Sequence, residues 1–160
     1  MNIWTINKWK NYLNDMPNRR TGLRIRIESS VDDEVKLACK NFICWLRTEY
    51  TFPLRVPIYV KASKYLRTLD GDKAVGTFFE PFDYSVEPYI RISTGDYESM
   101  KQSIGKDNAL ASILLSIAHE LTHYYQWINN IELTPIGMER QATHYAHLIV
   151  DEYALTREHP

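Results

Sequence analysis

The sequence has little cysteine, no histidine before residue 119 and no long apolar run. Its two cysteines, Cys39 and Cys44, lie five residues apart in one predicted helix. That spacing points them to different faces and argues against a mutual disulfide. Both read as small buried hydrophobic residues. No stretch is long enough to span a bilayer. Met1 to Met16 mixes polar and apolar residues and lacks the apolar core of a signal peptide. No charge of one sign prevails: 19 Lys and Arg face 20 Asp and Glu, for a formal net charge of −1. Because these are interspersed, no basic stripe supports nucleic-acid binding. The expectation is a cytoplasmic protein with neither a membrane nor a nucleic-acid partner. Internal repeats and low-complexity segments are also missing. What is present is an ordinary globular composition, 44% hydrophobic and 24% charged over 160 residues. That length suits one domain, 1–160, with a sizeable core.

The periodicities predict an α+β domain with the order α-β-α-β-β-β-α-α. Ile6, Trp9, Tyr12, Leu13 and Met16 recur at helical spacing before Pro17, so residues 1–20 read as an N-terminal helical extension closing one side of the core. Leu23, Ile25 and Ile27 alternate with charged residues, as in a half-buried strand. A helix is expected from Ser30, with Asp33 as a capping partner and a buried face from Val35 to Leu46. It ends before Pro53. Strands are expected at Val56 to Ala62, Gly76 to Glu80 and Tyr89 to Ser93, with a loop at Asp70-Gly71-Asp72. The polar segment from Asp96 to Lys106 leads to a long helix capped by Asp107 or Asn108 and running to about Ile128. Thr134-Pro135 then reads as the N-cap and first position of a last helix ending near Thr156. These elements suggest one small sheet, mostly antiparallel or mixed, with helices packed on it.

The long helix carries the chemistry. His119-Glu120-Leu121-Thr122-His123 reads H-E-x-x-H, and two His four residues apart stack on one helix face. Two imidazole nitrogens are thus offered to a single metal ion. Glu120, about 100° further round, sits beside that ion, where a general base for a water molecule belongs. Leu110, Ile113, Leu114, Ile117, Leu121, Tyr124 and Ile128 cluster on the opposite side of the helical wheel. Ser112, Ser116 and Gln126 fall on the His side. One face therefore anchors the helix in a core while the other presents polar, ligand-bearing residues.

Catalytic zinc commonly has three protein ligands and an open position. The candidates for the third are Glu132, Glu139, His144 and His147. On the last helix Glu139 shares a face with Ala142 and Ala146, and these small residues allow the close helix approach that a short carboxylate needs. His144 points elsewhere, about 140° away. His147 lies two turns on, placed for substrate or oxyanion contact. Glu139 is therefore the expected third ligand, with one zinc per chain.

H-E-x-x-H followed by a Glu on the next helix resembles the gluzincin metallopeptidases. Glu139-x-x-Ala142-x-x-Tyr145-Ala146 resembles the E-x-x-A-x-x-[FY]-A signature of the ImmA/IrrE-like metallopeptidases. The strands before the metal helix also resemble that family's minimal zincin domain. The likeness covers roughly Val56 to Thr156. It departs at Thr122, where that family commonly has Gly. Thermolysin-like enzymes carry Thr there, but their third-ligand pattern would need Asp where Thr143 stands. The resemblance implies a zinc peptidase acting on a peptide or protein substrate, often an intracellular regulatory protein.

The expected mechanism has His119, His123 and Glu139 holding zinc, and Glu120 taking a proton from the water that attacks a peptide carbonyl. Tyr145, Tyr124 and His147 are candidate oxyanion donors, Tyr124 being disfavoured by its place on the apolar face. By analogy with zincins, an extended substrate would add to the edge strand at Gly76 to Glu80. Two other readings compete: a catalytically silent zinc-binding interaction or regulatory module on the same scaffold, and a helix pair that holds no metal.

Overall fold

A computed structural model describes residues 1–160. In chain order the elements are α1 (Lys10–Leu13), β1 (Leu23–Ile27), α2 (Asp33–Glu49), β2 (Val56–Lys61), β3 (Leu66–Arg67), β4 (Lys73–Ala74), β5 (Gly76–Phe79), β6 (Tyr89–Ser93), α3 (Tyr97–Ile104), α4 (Lys106–Ile128) and α5 (Pro135–Ala154). The fold is α+β, as the periodicities predict. The main sheet has the order β1-β2-β6-β5. Its first three strands are parallel, while β5 runs antiparallel to β6 at the edge, so the sheet is mixed. No helix is long and apolar enough to cross a membrane.

Alternation along the strands builds the layers. Ile58, Val60, Ile90 and Ile92 are fully buried and face α2 and α4. Each such side chain contributes about 1.5–3 kcal/mol when removed from water. Tyr59 and Arg91, between them in sequence, take the other face. The stripe predicted for α4 is the core: Leu110, Ile113, Leu114, Ile117, Leu121, Tyr124 and Ile128 are all buried. Helix α5 packs along α4 as an outer layer, with Ala142 and Ala146 buried between them.

Several local expectations need correction. The cap of α2 is neither Ser30 nor Asp33 but Asp32, whose carboxylate accepts from the Glu34 N–H at 2.8 Å. Helix α4 starts at Lys106 rather than behind an Asp107 or Asn108 cap. Gly105, at φ 88°, breaks it from α3, a conformation that favours glycine. The polar segment before it is itself helical, held mainly by its ends: Tyr97 is buried, and Glu34 pairs with Lys101 at 2.7 Å and Lys106 at 2.8 Å. The Asp70-Gly71-Asp72 loop closes a small hairpin, β3 on β4. Cys39 is buried, and burial pushes its thiol up to about 12, but Cys44 is exposed.

Residues 1–20 are not a helical extension. Only Lys10–Leu13 is helical, and Ile3, Trp4 and Leu13 are buried in the common core. The Trp4 indole N–H donates to Thr122 Oγ1 at 2.9 Å, and the Trp9 backbone N–H donates to Asn129 Oδ1 at 3.1 Å. The hydroxyl of Thr122 also donates to the Ala118 carbonyl at 2.9 Å. The Thr122 side chain therefore has a structural use. It receives the N-terminal segment.

Candidate metal centre

The site begins with how α5 is launched from α4. Asn130, at φ 50°, turns the chain, as Asn tolerates. Thr134 Oγ1 then accepts from the Gly137 N–H at 3.0 Å, and Pro135 occupies the first turn, as predicted. This fixes the phase of α5. Glu139, one turn before Ala142, consequently faces the His pair.

Glu139 Oε2 lies 3.0 Å from His119 Nε2, and Oε1 lies 3.1 Å from His123 Nε2. One ligand atom from each of these residues lies within 4.8 Å of the others. Neighbouring ligands on a tetrahedral zinc, each about 2.0–2.1 Å from the ion, sit roughly 3.3 Å apart. The donor set, two imidazoles and one carboxylate, is also one that zinc takes. The His119 imidazole is pushed below its usual value by burial first and by His123 second, with Glu139 opposing. That favours the neutral ring, whose lone pair is free to bind a cation.

A further residue orients His123. Its Nδ1 is 2.8 Å from Gln126 Oε1. The Gln126 amide is fully buried, and its NH2 donates to the Met138 carbonyl at 3.0 Å and to Gln141 Oε1 at 2.9 Å. With both N–H groups so engaged, the Gln126 oxygen is left to accept from Nδ1–H, so Nε2 presents its lone pair toward Glu139. Gln126 was visible on the His face of the wheel. Its role was not, because that depends on Met138 and Gln141 from the next helix.

Glu120 is only 8% exposed. Burial first, and the charge of Glu139 second, push its carboxyl up to about 8. The carboxyl packs against Gly76 of β5. A Cβ built there would lie 3.0 Å from Glu120 Oε1 and 3.2 Å from its Cγ. Glycine thus lets the strand approach Glu120, a requirement no local pattern announces.

Strand β5 is the free edge of the sheet. The Val75 carbonyl accepts from the Ser93 N–H at 2.9 Å, while Gly76 pairs with Ile92 and Phe78 with Ile90. In an antiparallel ladder, bonded and non-bonded pairs alternate. The N–H and C=O of Gly76 and Phe78 therefore point away from β6. They open on a cleft of about 1190 Å³ whose walls include Ser112, Ser116, His119, Glu120, His123 and Glu139.

The remaining candidates separate. His147 lines the same cleft. Tyr145 is not among its walls: its hydroxyl donates to the Met1 carbonyl. His144 stacks edge-on against Tyr145 and borders a different, shallow pocket. Glu132 stays in the exposed interhelix loop. Tyr124 is a core anchor, donating to the Leu54 carbonyl at 2.7 Å and accepting from the Leu54 N–H at 3.1 Å.

Comparison with protein-family models, curated proteins and solved structures gave no match.

Proposed function

We propose that this protein is a zinc-dependent peptidase of the gluzincin type, most like the ImmA/IrrE-like group, acting on a peptide or protein of the cytoplasm. The observation that carries the reading is the place of Glu120. Its buried carboxyl lies between a His-His-carboxylate cluster on two helices and the unpaired backbone of a sheet edge.

Each group has work to do in that chemistry. His119, His123 and Glu139 would hold one zinc ion, which when bound acidifies a water molecule and polarises a carbonyl. An extended peptide laid along β5 pairs its main chain with the free groups of Gly76 and Phe78. That alignment brings one of its carbonyls alongside Glu120. Glu120 accepts the proton of the attacking water and returns it to the leaving amine nitrogen. His147, on the cleft wall, is the remaining side-chain candidate to donate a hydrogen bond to the developing oxyanion.

The test is digestion of a proteome-derived peptide library, read by mass spectrometry for new termini. Cleavage should appear with the zinc-loaded protein, stop with a chelator and return on adding zinc. A protein that holds zinc yet generates no new termini would instead be a silent binding module.

A further inference from the structure

Arg91 is an unpaired cation in the wall of the cleft. It sits on β6, in register with Thr77 of the edge strand. Its side chain is on the outer face of the sheet, opposite to Ile90 and Ile92. One guanidinium nitrogen, Nη2, donates to the Arg67 carbonyl at 3.0 Å. No carboxylate lies within ion-pairing distance. Its Nε is buried with no hydrogen-bond partner at all. A buried donor left unmade is costly, and nothing in the chain itself satisfies this one. The cleft wall around it includes the stacked Phe79 and Tyr89 rings, 4.8 Å apart, and a second cation, Lys73.

We infer that the cleft selects extended peptides carrying an acidic side chain, and that Arg91 is the residue that reads it. The inference rests on the peptidase reading for the direction of the peptide backbone. A strand added to β5 bonds to Gly76 and Phe78, so its residue opposite Thr77 turns its side chain to the outer face, the face of Arg91. Two strand spacings, about 10 Å, separate that residue from Arg91. An arginine and a glutamate reaching toward each other across Thr77 span such a gap. The planar arginine fork suits a carboxylate. Residues on either side of the acidic one face the metal helix, so the read position is adjacent in sequence to those nearest Glu120.

The experiment uses a positional-scanning library of fluorescent decapeptides and zinc-loaded protein with Glu120→Gln, which removes the proposed base and lets binding be read without turnover. Fixed Asp or Glu at one position should improve affinity roughly ten- to a hundredfold over Asn or Gln. That preference should shrink to within about twofold when Arg91→Gln is added, and weaken with salt. Arg91→Glu should turn it toward Lys and Arg, and Arg91→Lys should retain part of it, which guards against a variant that folds poorly. Equal binding of acidic and neutral peptides, or an acidic preference that survives Arg91→Gln, overturns the inference. Cleavage of the same library by protein with Glu120 intact reports separately on the peptidase reading. Cleavage without acidic selection removes only the role of Arg91, whereas neither binding nor cleavage removes both.

Discussion

Under the proposed function, Glu139→Ala should weaken zinc binding by about a thousandfold or more, while His144→Ala and His147→Ala should leave it nearly unchanged. Only Glu139 lies within 3.1 Å of both imidazoles. Without it a bound ion would keep two nitrogens and solvent, a poor site for a metal that takes three protein ligands in catalytic centres. The orienting residue should fall between these extremes. Gln126→Leu removes the acceptor that fixes the His123 ring, and losses of this kind cost about 10–100-fold in affinity. Competition against a fluorescent chelator measures all four variants on one scale. The order matters as much as the sizes. A variant series in which either His mutant loses zinc and Glu139→Ala does not would reject the carboxylate ligand and the gluzincin assignment with it. Because metal binding and local folding are linked, amide exchange at the contact between α4 and α5 should also quicken in Glu139→Ala.

Under the proposed function, Glu120→Gln should keep the fold and the zinc but lower hydrolysis by about 10²–10⁴-fold, the usual range for loss of a positioned acid–base. Gln preserves the shape that packs on Gly76 and cannot take a proton. Turnover within tenfold of the parent would exclude Glu120 as the base. A second consequence concerns stability without metal. In the folded chain the Glu120 carboxyl is pushed from 4.5 up to about 8. Between those values the folded state holds a proton that the unfolded state has released. Stability of the metal-free parent therefore falls as pH rises through this window, by up to about 1.4 kcal/mol per pH unit from this group. It stops falling above the window, where both states are ionised. The Gln variant lacks this term, so the metal-free variant should gain on the metal-free parent from pH 4.5 to about 8. Denaturant midpoints of the two proteins across that range check the sign, and parallel curves would place Glu120 in a wetter setting than its 8% exposure implies.

Much of this was legible because local rules and tertiary structure agree along α4 and α5. The apolar stripe of α4, the His pair opposite it, and the Thr134-Pro135 start of α5 each follow from spacing on one helix. Small residues at Ala142 and Ala146 then bring the helices together. Strand β1 was legible from alternation, and β2, β5 and β6 as short runs bounded by proline or turn residues. The sequence was silent where the cause is distant. Two-residue strands β3 and β4 have no period to read. Helix α3 buries only Tyr97 and is tied down by Glu34 from α2. The N-terminal segment misled because Ile6, Trp9, Tyr12, Leu13 and Met16 recur at helical spacing, yet of these only Leu13 is buried, and Trp4, outside that pattern, is anchored by Thr122 and its aromatic neighbours. Tyr145 matched the family signature, but its phase on α5 turns it to Met1 rather than to the cleft. Gly76, Gln126 and Arg91 acquire meaning only from residues on other elements.

The zinc content of the purified chain tests the account most directly. Protein dialysed against zinc and then freed of excess should carry one zinc per chain by elemental analysis, and His123→Ala prepared identically should carry almost none. Substoichiometric zinc that added metal fails to restore, or a His123→Ala variant that loads as fully as the parent, would contradict it.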